Sequence, residues 1–149
     1  MFTDDAVFDR VITEYRNAVV SSLAVPEFAV VGHPGVFLRH LSPSFVEGKP
    51  WGRLIEEMED DLARAVAASG KILEVNTSGY SCARRAPCAG PFLLERFRAH
   101  GGERVSLGSD SHDASHVRRD FDQAKALLVS LGFTEVWLPW DQKSPLPLF

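Results

Sequence analysis

The chain has 149 residues, enough for one domain with its own core and too few for two. Hydrophobic residues make up 45% and charged residues 24%, inside the range of soluble globular proteins, and a formal net charge of −4 supplies no basic field, which argues against nucleic acid as the main partner. No run approaches the roughly 18 consecutive apolar residues that would span a bilayer, and Met1-Phe2-Thr3-Asp4-Asp5 opens on acids rather than on a basic segment followed by an apolar one. No membrane partner is therefore expected, and the expected compartment is the cytoplasm.

From about Asp5 to Leu23, residues Val7, Phe8, Val11, Ile12, Tyr15, Ala18 and Val19 recur at helical spacing and predict one apolar stripe. Pro26 breaks that helix, and Phe28-Ala29-Val30-Val31 reads as a short buried strand ending at Gly32-His33. A long loop carrying Pro34, Gly35, Pro43, Gly48 and Pro50 follows. A second helix is predicted from Trp51 to Ser69, with Leu54, Ile55, Met58, Leu62, Ala65 and Val66 inward and Gly70 closing it. Lys71 to Asn76 reads as a strand with a polar end, and Thr77 to Gly90 as loop. Within that loop Cys82 and Cys88, with Pro87 between them, are too few for a four-ligand zinc site and read as reduced thiols.

Pro91 suits the first turn of a third helix, Phe92 to Ala99, stopped by Gly101-Gly102. The strand Arg104 to Leu107 runs into Gly108-Ser109-Asp110-Ser111-His112. A fourth helix is predicted from Ser115 to Leu131, then a last strand, Thr134 to Leu138, and a Pro-rich tail. This alternation calls for an α/β fold of about four parallel strands joined by helices. Either an open doubly wound sheet or a piece of an α/β barrel satisfies it; four strands do not close a barrel, for which about eight are typical.

In both architectures sites form where strands end and loops lead into helices. Three successive strands here end in polar residues, so His33, Asn76, Asp110 and His112 should share one face. Residues two apart on an extended strand end point the same way, so Asp110 and His112 can meet one cation, and a carboxylate with an imidazole suits zinc, manganese or iron. A second reading stays open from the residues alone: Ser109 or Asp110 capping the next helix, His112 a solvated loop residue, His33 a loop histidine before Pro34, and Asn76 a strand-end hydrogen-bonding residue. The direction of Glu74 is undetermined, and it is left out of the expected site.

Gly32-His33-Pro34, Leu73-Glu74-Val75-Asn76-Thr77-Ser78-Gly79 and Leu107-Gly108-Ser109-Asp110-Ser111-His112, in this order and spacing, resemble the PHP-domain metal-dependent phosphoesterases. The long connector before the second element, and the helix containing Val117-Arg118-Arg119-Asp120-Phe121-Asp122-Gln123-Ala124, are similar to the histidinol-phosphatase branch. The resemblance implies that residues 1–149 form a single partial domain, the C-terminal part of a distorted (β/α)7 barrel. It implies a cluster of divalent metal ions (Zn, Mn or Fe), with His33, Asp110 and His112 as ligands and Asp110 and His112 as catalytic residues. It implies a small phosphorylated metabolite, histidinol phosphate, as substrate, with Asn76 near it. Arg39 and Arg84 are the candidates to bind its phosphate.

The chain departs from that pattern in lacking the family's N-terminal H-x-H element and its further ligands. Gly35 stands where an acid is common, and Tyr80-Ser81 fill the place of an arginine, with Arg84 and Arg85 slightly later. These departures leave two expectations: a phosphatase, or a truncated, non-catalytic remnant that kept the fold. The missing strands would also leave a parallel edge at Val30-Val31 open to homo-oligomer formation.

Overall fold

The computed structural model describes residues 5–148; the acidic opening at residues 1–4 lies outside them. In chain order the elements are α1 (Asp5–Ser22), β1 (Val30–Val31), a 3₁₀ turn (Val36–His40), the one-turn helix α2 (Pro43–Val46), α3 (Pro50–Ser69) and β2 (Ile72–Asn76). A second 3₁₀ turn (Thr77–Ser81), α4 (Pro91–Ala99), β3 (Val105–Gly108), a third 3₁₀ turn (Ala114–His116), α5 (Phe121–Ser130), β4 (Glu135–Leu138) and β5 (Asp141–Pro147) complete the chain.

The helices form where periodicity and end signals agree. α3 starts at Pro50, in the first turn where a missing N–H breaks no hydrogen bond, and ends at Gly70, whose φ of 68° is the left-handed closure a glycine adopts without strain. Its inner face buries Trp51, Ile55, Met58, Leu62, Ala63 and Val66, so Ala63 rather than Ala65 joins the core. α1 buries Phe8 and Ile12; the Phe8 ring lies 4.4 Å from that of Trp51, whose indole N–H donates to Asp5 at 3.0 Å.

β1, β2 and β3 pair in parallel and in sequential order, with Val31 opposite Leu73, Leu73 opposite Val105 and Asn76 opposite Gly108. α1 packs on α3 and α3 on α4, and Leu73, Val75 and Val105 enter one core cluster with them and with Ala124 and Leu128 of α5. The core cluster therefore lies on the face of the sheet to which Leu73, Val75 and Val105 point, against α3, α4 and α5. The described sheet has three strands and is open, with β1 a two-residue edge. Among the described residues no helix is long and apolar enough to cross a membrane.

Two expectations need correction. The expected fourth parallel strand, as β4, does not join the sheet; it pairs antiparallel with β5, which occupies the stretch read as a Pro-rich tail. Proline lacks the ladder N–H but is tolerated where the strand's second edge is unpaired, as in this two-stranded hairpin, so Pro145 and Pro147 did not prevent strand formation. Arg104 stacks 4.3 Å from the Trp137 ring, joining the start of β3 to β4. The fourth helix is also shorter than its apolar spacing predicts, because Arg118 and Asp120 take left-handed φ values of 64° and 60° and α5 begins only at Phe121.

One polar cluster pins α3 to α4. The Asp60 carboxylate accepts from Arg64 and Arg96 and lies 2.8 Å from His100 Nε2. The hydrogen bond from Arg96, and then that from His100, hold its carboxyl down at about 2. Replacing Asp60 with Asn is expected to cost about 1 kcal/mol at neutral pH. Because the folded pKa is depressed, this stabilisation is present above the ordinary value of 3.8 and disappears as pH falls through about 2. Urea midpoints of wild type and variant, separate at pH 7, should converge near pH 2.

Candidate functional site

The parallel register places the ends of β1, β2 and β3 side by side, so the segments after Val31, Asn76 and Gly108 share one rim. His33 is exposed there with φ 31°, and Asp110 is exposed with φ 48°. Left-handed backbone is uncommon for residues other than glycine and costs of order 1 kcal/mol or more, so both positions are held by their surroundings. α1 braces the loop after His33: the Tyr15 hydroxyl accepts the Gly35 N–H at 2.7 Å, and its ring meets Phe37 edge-on at 4.8 Å. Burial pushes the Tyr15 hydroxyl pKa up.

Asn76 is 1% exposed and works as a strand-end bonding residue. Its Oδ1 accepts from the Ser78 N–H at 3.1 Å and from the Ser78 hydroxyl at 2.6 Å, closing the turn after β2. Its Nδ2 donates to Glu74 Oε2 at 3.3 Å, and its backbone exchanges hydrogen bonds with Cys88. Glu74, left out of the sequence expectation, thus lies among the expected site residues. Alternation along β2 turns Leu73 and Val75 to the helices and Glu74 and Asn76 to the other face. The signal that would have shown this was the register of Glu74 against the glycines of the neighbouring strands, which one sequence does not contain.

His112 Nε2 lies 3.8 Å from Asp110 Oδ1, with the His112 side chain 92% exposed. Neither Ser109 nor Asp110 caps the following turn; Asp113 does, accepting the Ser115 N–H at 2.8 Å. Among the described residues no three His, Cys, Asp or Glu side chains converge tightly enough to hold a cation. The Asp110–His112 pair is therefore one donor short of the smallest such group, and the described residues by themselves do not fit a metal cluster.

Of the two arginines expected to meet phosphate, Arg39 donates from Nε to His40 at 3.2 Å, and its carbonyl accepts the Arg84 N–H at 3.0 Å. The Arg84 guanidinium is bound at 3.0 Å to Glu59, which is 2% exposed on the inner face of α3. Burial raises the Glu59 pKa, and the charge of Arg84 opposes that rise. Arg84 thereby ties the loop after β2 to α3. Cys82 and Cys88 are both free thiols, and burial pushes Cys88 up to about 11.

A sequential parallel sheet packed against helices, with polar residues at its strand ends, defines the class: an α/β fold with a candidate site at the strand ends. The comparisons find similarity to proteins named as phosphatases. Two curated proteins, each called a probable phosphatase, from Thermoanaerobacter sp. (strain X514) and Thermoanaerobacter pseudethanolicus (strain ATCC 33223 / 39E), are 25% identical over 124 residues, covering 83% of this chain and 44% of each. The crystal structure of histidinol phosphate phosphatase from Lactococcus lactis subsp. lactis Il1403, complexed with zinc, L-histidinol and phosphate, matches with a TM-score of 0.59 and 21% identity. That match covers 86% of this chain and 48% of the other, and shows likeness of fold. The chain spans about half the length of the relatives it matches. No protein-family model matches it.

Replacing Arg84 with Ala separates an anchoring role from a purely substrate-binding one. The substitution leaves Glu59 buried without its counter-ion and is expected to cost about 3 kcal/mol. A carboxyl with a raised folded pKa loses stability as pH climbs from its ordinary value of 4.5 through the folded value, and removing Arg84 raises that value further. The deficit of the variant in urea melts should therefore widen once pH climbs past the raised wild-type value of Glu59; a variant as stable as wild type at pH 7 would contradict the anchoring role.

Proposed function

We propose that this chain carries part of a phosphate monoester hydrolase of the histidinol-phosphatase type, acting on histidinol phosphate or a similar small phosphorylated metabolite. The observation that carries the reading is the common rim: three adjacent parallel strands deliver His33, Asn76, and the Asp110–His112 pair to neighbouring loops. The two relatives named as probable phosphatases, and the fold shared with a histidinol phosphate phosphatase holding zinc, L-histidinol and phosphate, support it.

In this reading Asp110 and His112 are the reacting pair. The Asp110 carboxylate, at the exposed rim, accepts a proton from the attacking water, and the His112 imidazole within its reach returns one to the departing alcohol. Arg39, beside the same rim, draws the dianionic phosphate towards them. The zinc of the relative supports a divalent-metal requirement for the assembled enzyme, with His33, Asp110 and His112 as this chain's donors. Because the described donors fall short of a cation site, no step is assigned to a metal here.

The experiment is phosphate release from histidinol phosphate by the purified chain, with zinc, manganese or iron added. Turnover is expected to fall at least about 100-fold in Asp110→Asn and in His112→Ala, with the helical circular dichroism unchanged. Equal rates in wild type and both variants would sink the site assignment. A wild-type chain without turnover would favour the second reading, a non-catalytic module that keeps the fold.

A further inference from the structure

Glu74 is the side chain that touches both flanking strands at the rim. Its Oε2 accepts the His33 backbone N–H at 2.7 Å, and the Asn76 amide donates to the same oxygen at 3.3 Å. On the β3 side the carboxylate lies against Gly108: a β-carbon there would run into Glu74 Oε1 and crowd its carboxyl carbon. On the β1 side a β-carbon at Gly32 would lie 3.7 Å from Oε2, in ordinary contact. The side chain is thus seated between one glycine just before His33 and another two residues before Asp110.

Both residues that follow these glycines into the rim, His33 and Asp110, hold left-handed backbone. A charge-assisted hydrogen bond from the His33 N–H is of the stronger kind, and it acts directly on one of those two conformations. On the other strand the absence of a side chain at Gly108 lets the carboxylate sit beside the start of the Asp110 loop. We propose that Glu74 is a positioning residue: through the His33 N–H and the Gly108 seat it sets the relative placement of the loops that carry His33 and the Asp110–His112 pair. Its importance to catalysis rests on the function proposed above; its geometric role does not.

The test compares wild type, Glu74→Ala, Glu74→Gln, Gly108→Ala and the double variant Glu74→Ala/Gly108→Ala. By amide exchange in ¹⁵N-resolved NMR, His33 should lose about ten-fold in protection in Glu74→Ala, with much of it restored in Glu74→Gln, whose amide oxygen still accepts. Gly108→Ala should lower stability strongly when Glu74 is present and much less in the Glu74→Ala background, a non-additivity that a general loss of packing would not produce. Unchanged His33 protection in Glu74→Ala, or additive costs in the double variant, would overturn the proposal. Should Glu74→Ala fail to fold, Gly108→Ala decides alone, since displacing the carboxylate must cost the same His33 protection. A wild-type chain that releases no phosphate would count against the proposed function, while the exchange and double-variant results would still decide the role of Glu74.

Discussion

β2 is hydrogen-bonded along both edges, and the rest of the molecule depends on that double pairing. A parallel strand flanked on both sides has no edge facing water, so its backbone groups are satisfied only if β1 and β3 stay in register. The register then decides which loop lies beside which. Shifting β2 by one residue against its neighbours would turn Leu73 and Val75 away from the helices and carry Glu74 into the apolar core. The burial of Leu73, Val75 and Val105 against α3 and α4 opposes such a slip, and the rim inherits its order from that burial.

The polar groups above this ladder are organised by a few committed side chains. Asn76 closes the turn after β2, Arg84 binds Glu59 beneath the loop, and Tyr15 reaches from α1 to the Gly35 N–H. Each satisfies a group that would otherwise be buried without a partner, where the loss is of order 1–3 kcal/mol. Their effect is to leave the Asp110–His112 pair as an exposed acid and imidazole on a rim whose neighbours are already bonded. A rim assembled this way is held from below by packing and is exposed above, at His33, Asp110 and His112.

Much of this was legible in the residues. Period and punctuation predicted α1, α3 and α4 within a residue or two of their observed ends, because prolines in first turns and glycines past last turns act locally. The polar strand ends were legible for the same reason: chemistry at the end of an apolar run stands out in one dimension. β5 was not, because two prolines in a short segment argue against a strand unless its second edge is unpaired, and edge status belongs to the sheet. Nor was the break before α5, where left-handed Arg118 and Asp120 interrupt a sequence whose apolar spacing runs on unbroken.

The sequence by itself determined the alternation of strands and helices, the apolar faces that bury them, and the order in which His33, Asn76, Asp110 and His112 occur, since all of these follow from local periodicity and chain direction. Only the tertiary structure decided which of those residues meet. Arg84, a candidate phosphate contact, is bonded to Glu59, 25 positions earlier in the chain, and Glu74 gained the His33 N–H, 41 positions away. The physical reason is the same in both cases: a charged side chain turned inward must find its partner across the fold, and the register of neighbouring strands and helices chooses that partner.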